Sequence, residues 1–199
     1  ASAEKIFKLM DEEEEKYNSN EPGVKSLEGT VEFENVTFAY DGEHKVLKDI
    51  SFSVLPKEKI AFVGETGAGK TSIISILTGL YKIQSGKIKI DGRNIYDYNL
   101  QSFRKKVGVV LQDVFLFSGS ILDNIRLFDK TVSREKVIEA AKYVYAHHFI
   151  ERLQDKYDTV ILERGGTLSA GERQLIALAR AVVFNADILV LDEATANVD

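Results

Sequence analysis

Gly64-Glu65-Thr66-Gly67-Ala68-Gly69-Lys70-Thr71 is the stretch from which the rest of the chain can be read. It fits G-x-x-x-x-G-K-[ST], a glycine-rich loop whose backbone N–H groups cradle phosphates. The preceding run, Ile60-Ala61-Phe62-Val63, is short, apolar and unbroken, which predicts a strand buried on both faces. The following run, Thr71 to Leu77, carries Ile73, Ile74, Ile76 and Leu77 at helical spacing. A glycine turn before a surface lysine would explain the octapeptide alone. The flanking strand and helix argue for a phosphate loop.

The residue types supply the chemistry. Gly64, Gly67 and Gly69 are expected to adopt backbone angles closed to other residues and to let N–H groups approach an anion. A helix starting near Lys70 turns the positive end of its dipole to the same place. Lys70 is placed to reach the β- and γ-phosphates of a nucleotide, and the Thr71 hydroxyl to ligate Mg²⁺. A second apolar run, Ile188-Leu189-Val190-Leu191, predicts another buried strand and ends in Asp192-Glu193. Asp192 can hold Mg²⁺ directly or through water, and Glu193 can orient or deprotonate the attacking water. Such a strand end alone is commonplace. After a phosphate loop it is the element the loop requires.

Composition narrows the class. At 199 residues the chain is long enough for about one domain. Its hydrophobic content of 44% and charged content of 29% are those of a soluble globular protein. A formal net charge of −5 argues against nucleic acid as the main partner. The absence of cysteine removes disulfides and thiolate metal sites. No run approaches the roughly 18 apolar residues of a membrane span, so the chain itself is expected to be soluble.

Along the chain, Ile6, Phe7, Leu9 and Met10 predict a short amphipathic helix, followed by the acidic run Asp11 to Glu15 and a linker broken at Pro22-Gly23. Thr30 to Phe38 reads as an antiparallel strand. A phase slip between Val31/Phe33 and Val36/Phe38 predicts a bulge near Glu34-Asn35. Val46 to Val54 reads as a second strand with its apolar residues on even positions. Asp91-Gly92 predicts a hairpin turn, and Val107 to Leu111 a further strand ending at Gln112. From Ser120 to Leu153 the spacing is helical, with Ser133 as an N-cap. Adjacent His147 and His148 point different ways on a helix, so packing or surface roles are favoured over a metal site. Thr167 to Phe184 reads as a loop and then a helix.

With these residues in place, the chain resembles the ATP-binding-cassette (ABC) ATPases. Gly64 to Thr71, the run Leu168-Ser169-Ala170-Gly171-Glu172, and Ile188 to Glu193 stand in that family's order and separation. The middle run is similar to the family signature Leu-Ser-Gly-Gly-Gln. Tyr40 sits where the family stacks a ring on adenine. Gln112-Asp113 resembles the Q-loop, which touches Mg²⁺ and the attacking water. Glu163-Arg164-Gly165 resembles the exporter X-loop, and Ala196-Asn197-Val198-Asp199 the D-loop. Phe115 to Ile121 with Asp123-Asn124-Ile125 is similar to the exporter branch.

The resemblance implies an α/β fold: a P-loop NTPase with a RecA-like core, an antiparallel β sub-domain and a helical sub-domain at about 113–184. It implies that residues 29–199 form the nucleotide-binding domain. Residues 1–28 would be the end of a connecting helix and linker from a transmembrane domain. It implies ATP and Mg²⁺ as cofactors, with Tyr40, Gly64, Glu65, Thr66, Gly67, Ala68, Gly69, Lys70, Thr71 and Ser72 at the nucleotide. Thr71, Gln112 and Asp192 would be at the metal, and Glu193 and Gln112 at the chemistry. A second ABC ATPase domain would offer Ser169 and Gly171 of its signature in trans.

The parent would be a multidrug- or lipid-exporter half-transporter, working at the cytoplasmic face of the cell membrane. Its ATP hydrolysis would drive export. Ala170 and Glu172 depart from the signature's usual glycine and glutamine, which raises weakened activity or heterodimerisation. Leu162 stands where the X-loop usually has glycine. The family's switch histidine lies beyond the D-loop, at a position none of His44, His147 or His148 occupies. A nucleotide-binding fragment without turnover, with a gap in its central sheet, and a soluble non-transport ABC ATPase are the alternatives.

Overall fold

A computed structural model describes residues 2–11, 21–162 and 168–192. It begins with helix α1 (Ser2–Met10), whose Ile6, Phe7 and Met10 are all exposed. Strands β1 (Val31–Ala39) and β2 (Lys45–Val54) then form an antiparallel pair. Helix α2 (Lys70–Leu77) follows the glycine loop. Strands β3 (Ser85–Ile90) and β4 (Arg93–Asn94) complete a sheet of order β2-β1-β3-β4. Asp91 and Gly92 both have positive φ, 51° and 76°, as the tight hairpin turn between β3 and β4 requires. Beyond β4, Ile95 turns into a short 3₁₀ helix instead of extending the strand.

In β1 the residues Val31, Phe33, Val36 and Phe38 are all buried despite their phase slip. Asn35 absorbs it with φ 49°, and the register with β2 shifts between Phe33 and Val36. This is the bulge expected from the sequence. β2 departs from its expected even alternation: Leu47 is buried and Val46 is exposed, because Asp49 at φ 52° resets the phase before Ile50.

Helix α3 (Leu100–Arg104) leads into β5 (Val107–Val110). The short strand β6 (Gly119–Ser120) is followed by helices α4 (Ile121–Ile125), α5 (Arg134–Tyr143) and α6 (Ala146–Ile150). The helical stretch is thus three helices. Positive φ at Leu127 and Phe128 and at Tyr145 breaks it between them. Ser133 caps α5 by accepting from Lys136 N–H, as expected. Strand β7 (Val160–Ile161) pairs with β6. Helix α7 (Ala170–Val183) precedes β8 (Ile188–Leu191), which runs parallel to β5.

Two large cores result. One gathers Leu116, Ile121, Ile125, Val137, Ile150, Ile161 and Ile176 from the helices, loop and short strand that follow residue 114. The other joins β1 and β3 to the inner face of α2, with Val107, Ile188 and Val190 packed into it. That second core places α2 beside the β5–β8 pair.

Two expected strands need correction. Ile60-Ala61-Phe62-Val63 forms no strand, and Ile60, Phe62 and Val63 are 45%, 43% and 95% exposed. An apolar run becomes a buried strand only where neighbours supply its hydrogen-bond ladder and cover its faces. Among the described residues no strand pairs with it. Phe62 instead packs edge-on against Phe52, with ring centroids 5.1 Å apart. Ile188–Leu191 is a strand, but only one face is covered: Ile188 and Val190 are half-buried while Leu189 and Leu191 are exposed.

Candidate functional site

The glycine loop leads directly into α2. Gly69 is its N-cap at φ 91°, and a Cβ there would lie 2.7 Å from Leu47 Cδ2. Position 69 therefore requires glycine on both conformational and steric grounds. Gly67 also has positive φ, 85°. Gly64 does not, which corrects the expectation for that residue; a Cβ there would crowd the Ala68 methyl at 3.3 Å. The Lys70 ammonium donates to Gly64 C=O at 2.7 Å and Glu65 C=O at 3.0 Å, closing the loop on itself.

One residue further, Thr71 Oγ1 donates to Asp192 Oδ2 at 3.0 Å. The partnership follows from the packing. Ile73, Ile76 and Leu77 bury one side of α2 in the core that holds Ile188 and Val190, so the helix start lies at the C-terminal end of β8. In the parallel pair, Val110 is opposite Leu191, and Asp192 N–H donates to Val110 C=O. The chain after Val110, with exposed Gln112, therefore leaves the sheet at the edge from which Asp192 projects. A hydroxyl and a carboxylate that meet at this edge are hard donors of the kind that suit Mg²⁺, and Gln112 follows the neighbouring strand end by two residues.

Tyr40 stands beside the same helix. Its Oη is 3.0 Å from the buried Ser72 Oγ, and its ring is half exposed. Phe38 and Tyr81 meet it edge to face, with centroids 4.7 and 5.0 Å away. Nothing in the motif pointed to Tyr81, which follows α2 by four residues. The aromatic neighbours orient Tyr40 beside the loop, where a base could stack.

The residues 168–172 lie at the start of α7. Ser169 is the N-cap: its hydroxyl accepts from Glu172 N–H at 3.2 Å, and Glu172 Oε2 accepts from Ser169 N–H at 2.8 Å. This is a capping box. Glu172, which departs from the signature's usual glutamine, fastens the turn that carries Ser169. The S-x-x-E spacing of Ser169 and Glu172 is the local signal for this box. Arg173 Nη1 adds a 2.6 Å bond to Leu168 C=O. Among the described residues, the hydrogen bonds of 168–172 stay within this turn and do not reach the glycine loop.

At the other end of α7, Arg180 donates to Asn124 C=O, Asn124 Oδ1 and Phe115 C=O at 2.8, 3.0 and 2.8 Å. Burial lowers its pKa to about 10, so it remains a cation at neutral pH. Asn124, itself fully buried, bonds both backbone groups of Phe117. His147 shares a 2.9 Å hydrogen bond with Tyr157 Oη, a packing role. Glu193, the X-loop residues Glu163 to Gly165, and Ala196, Asn197, Val198 and Asp199 lie outside the described residues.

Residues 47–196 match the protein family described as ABC transporter. The ATP-dependent lipid A-core flippase of Coxiella burnetii is 45% identical over 201 residues, and the alignment covers 100% of this chain and 34% of the flippase. A fatty acid ABC transporter ATP-binding/permease protein of Mycobacterium bovis is 42% identical over 199 residues, covering 100% of this chain and 31% of that protein. The chain thus spans about a third of the length of the curated relatives it matches. A bacterial Atm1-family ABC exporter solved with ATP bound superposes with a TM-score of 0.91 at 38% identity, over 100% of this chain and 35% of the exporter. With the family match covering residues 47–196 and the superposition covering the whole chain, the fold is that of the P-loop NTPases and the chain belongs to the ABC transporter family.

Proposed function

We propose that this chain binds ATP with Mg²⁺ and, paired head to tail with a second ABC ATPase domain, hydrolyses it to drive export through a transmembrane domain. The observation that supports this most is the 3.0 Å bond from Thr71 to Asp192, which joins the loop to the acidic strand end. Lys70 would bind the β- and γ-phosphates, and the loop N–H groups and the start of α2 would hold the remaining charge. Thr71, Asp192 and Gln112 would hold Mg²⁺, which when bound neutralises phosphate charge. Glu193 would orient and deprotonate the attacking water, while Gln112 positions it. Ser169 and Gly171 of the partner domain would stabilise charge on the transferring group.

Residues 1–28 are read as the end of a connecting helix and linker, and about 113–184 as the helical sub-domain. The relatives named for a lipid A-core flippase and for fatty acids support export as the work done, at the cytoplasmic face of a membrane. Among the described residues, no helix is long and apolar enough to cross a membrane. Nucleic acid is not an expected partner.

Titration with a fluorescent ATP analogue tests the binding half. Lys70→Ala should weaken affinity at least about tenfold, about 1.4 kcal/mol, and unchanged affinity would remove Lys70 from the site. Phosphate release measured against protein concentration tests the rest. Turnover rising faster than linearly supports a dimeric ATPase; binding without turnover at any concentration supports a nucleotide-holding module instead.

A further inference from the structure

Gln174 is 2% exposed, and neither its amide nitrogen nor its amide oxygen has a hydrogen-bond partner. A buried amide with both ends unpaired is costly and rare, so its position asks for a reason.

Its place on α7 supplies one. Ala177, Leu178 and Ala181 line the helix face that packs on Val110, with Val114 in the same cluster. A Cβ on Gly108 would lie 3.1 Å from Ala181 Cβ. Moving from Gly108 to Val110 covers about 6.6 Å of strand, and moving back from Ala181 to Ala177 about 6 Å of helix. The helix therefore runs antiparallel to β5. Gln174 is three and four residues before Ala177 and Leu178, hence on the same face, one turn nearer the N-terminus. Continuing the antiparallel run by one turn carries Gln174 past Val110, toward the chain that leaves β5 at Leu111. The other end of the same segment is already fastened to α7, by Arg180 to Phe115 C=O at 2.8 Å. The segment that leaves β5 at Leu111 is thus held against α7 by Val114 and Phe115.

We infer that Gln174 is a positioning residue for Gln112. When Mg²⁺-nucleotide fills the site beside Thr71 and Asp192, the buried amide of Gln174 pairs with the backbone of residues 111–113 and holds Gln112 at the metal. This rests on the nucleotide-binding reading above. It also gives α7 two opposite duties: Gln174 takes up contacts with the metal side of its own site, while Ser169 at the helix start is offered to the partner's site.

The test is Gln174→Met, an apolar side chain of similar length that keeps the volume and removes both polar ends. Without nucleotide, its thermal midpoint should rise by a few degrees, because an unsatisfied amide has gone. Its affinity for Mg²⁺-ADP should fall about threefold to tenfold, the equivalent of one or two hydrogen bonds. Its affinity for ADP in EDTA should stay within about twofold of the unsubstituted chain. In a Gln112→Ala background, Gln174→Met should have no further effect on Mg²⁺-ADP affinity. A lower midpoint without nucleotide would show that the amide is already satisfied and overturn the inference. Equal affinity losses with and without Mg²⁺ would also overturn it, leaving Gln174 a packing residue. No nucleotide binding by the unsubstituted chain would instead overturn the reading beneath it.

Discussion

Thr71 and Asp192 are 121 residues apart in the chain and 3.0 Å apart in the fold, with the hydroxyl donating to the carboxylate. In the Mg²⁺ site proposed above, this bond would hold two oxygen donors together. Such pre-placement lowers the ordering cost of binding. Thr71→Ala should therefore act on the metal more than on the nucleotide. Calorimetric titration should show Mg²⁺-ADP affinity falling about tenfold or more, with metal-free ADP changed by less than about twofold. An equal loss in both would mean that Thr71 holds phosphate rather than metal.

Glu172 should tolerate one substitution and not another. Its carboxylate accepts from Ser169 N–H while its own N–H donates to Ser169 Oγ. Gln can make the same reciprocal pair, so Glu172→Gln should leave the thermal midpoint unchanged. Glu172→Ala should cost about 1 kcal/mol, the usual loss for a helix cap. A midpoint unaffected by Ala would show that the box adds nothing to α7.

Tyr40 should contribute to binding through its ring more than its hydroxyl. Its ring is oriented by Phe38 and Tyr81, and its hydroxyl meets Ser72. Stacking uses a π-face that every base has, so GTP should bind within about tenfold of ATP. Tyr40→Ala should weaken both, and Tyr40→Phe neither by more than about threefold. ATP preference that survives Tyr40→Ala would place base recognition elsewhere.

Asp91 ties the chain entering β1 to the β3–β4 turn. Its carboxylate accepts from Glu28, Gly29 and Thr30 N–H at 2.8, 3.0 and 2.8 Å. Nearby, Leu27 N–H donates to Asp187, the residue just before β8. The segment is thereby fastened close to the strand that carries Asp192. Asp91→Ala should speed hydrogen exchange at Glu28, Gly29 and Thr30 at least about tenfold, leaving Val36 and Phe38 slow. Unchanged exchange would show that other contacts hold the strap.

What could be read from the sequence was what local spacing encodes. The turn at Asp91-Gly92, the bulge at Asn35 and the cap at Ser133 each depend on a few neighbouring residues, and each formed. Thr71 and Asp192 are far apart, yet each sits at the edge of a motif whose chemistry requires the other. Ile60–Val63 failed because a strand depends on neighbours its own residues do not specify, and among the described residues none pairs with it. The three bonds to Asp91 were hidden for a related reason. Asp-Gly signals a turn, but nothing local shows the carboxylate reaching back about sixty positions. The burial of Gln174 likewise comes from what α7 packs against, which the spacing around it does not encode.

Tyr157 should give the fold an alkaline limit. The side chain is 1% exposed, and its hydroxyl shares a 2.9 Å bond with His147. Burial raises its pKa from 10.0 to about 12, with the charge of Glu151 adding to the shift. The folded form thus keeps its proton at a pH where the unfolded chain gives it up. The unfolded chain then binds fewer protons, and stability falls as pH rises. This contribution is intact below pH 10 and is lost between pH 10 and about 12. Tyr157→Phe removes the ionising group and keeps the ring that Arg134 overlies at 5.9 Å. The variant loses the His147 bond, so its midpoint should be lower at neutral pH. Its midpoint should then decline less steeply than that of the unsubstituted chain from pH 10 upward. Thermal unfolding followed at about pH 8, 10 and 11 reads the difference between the two curves, which cancels the other tyrosines and lysines. Parallel curves across that range would show that Tyr157 ionises as readily folded as unfolded.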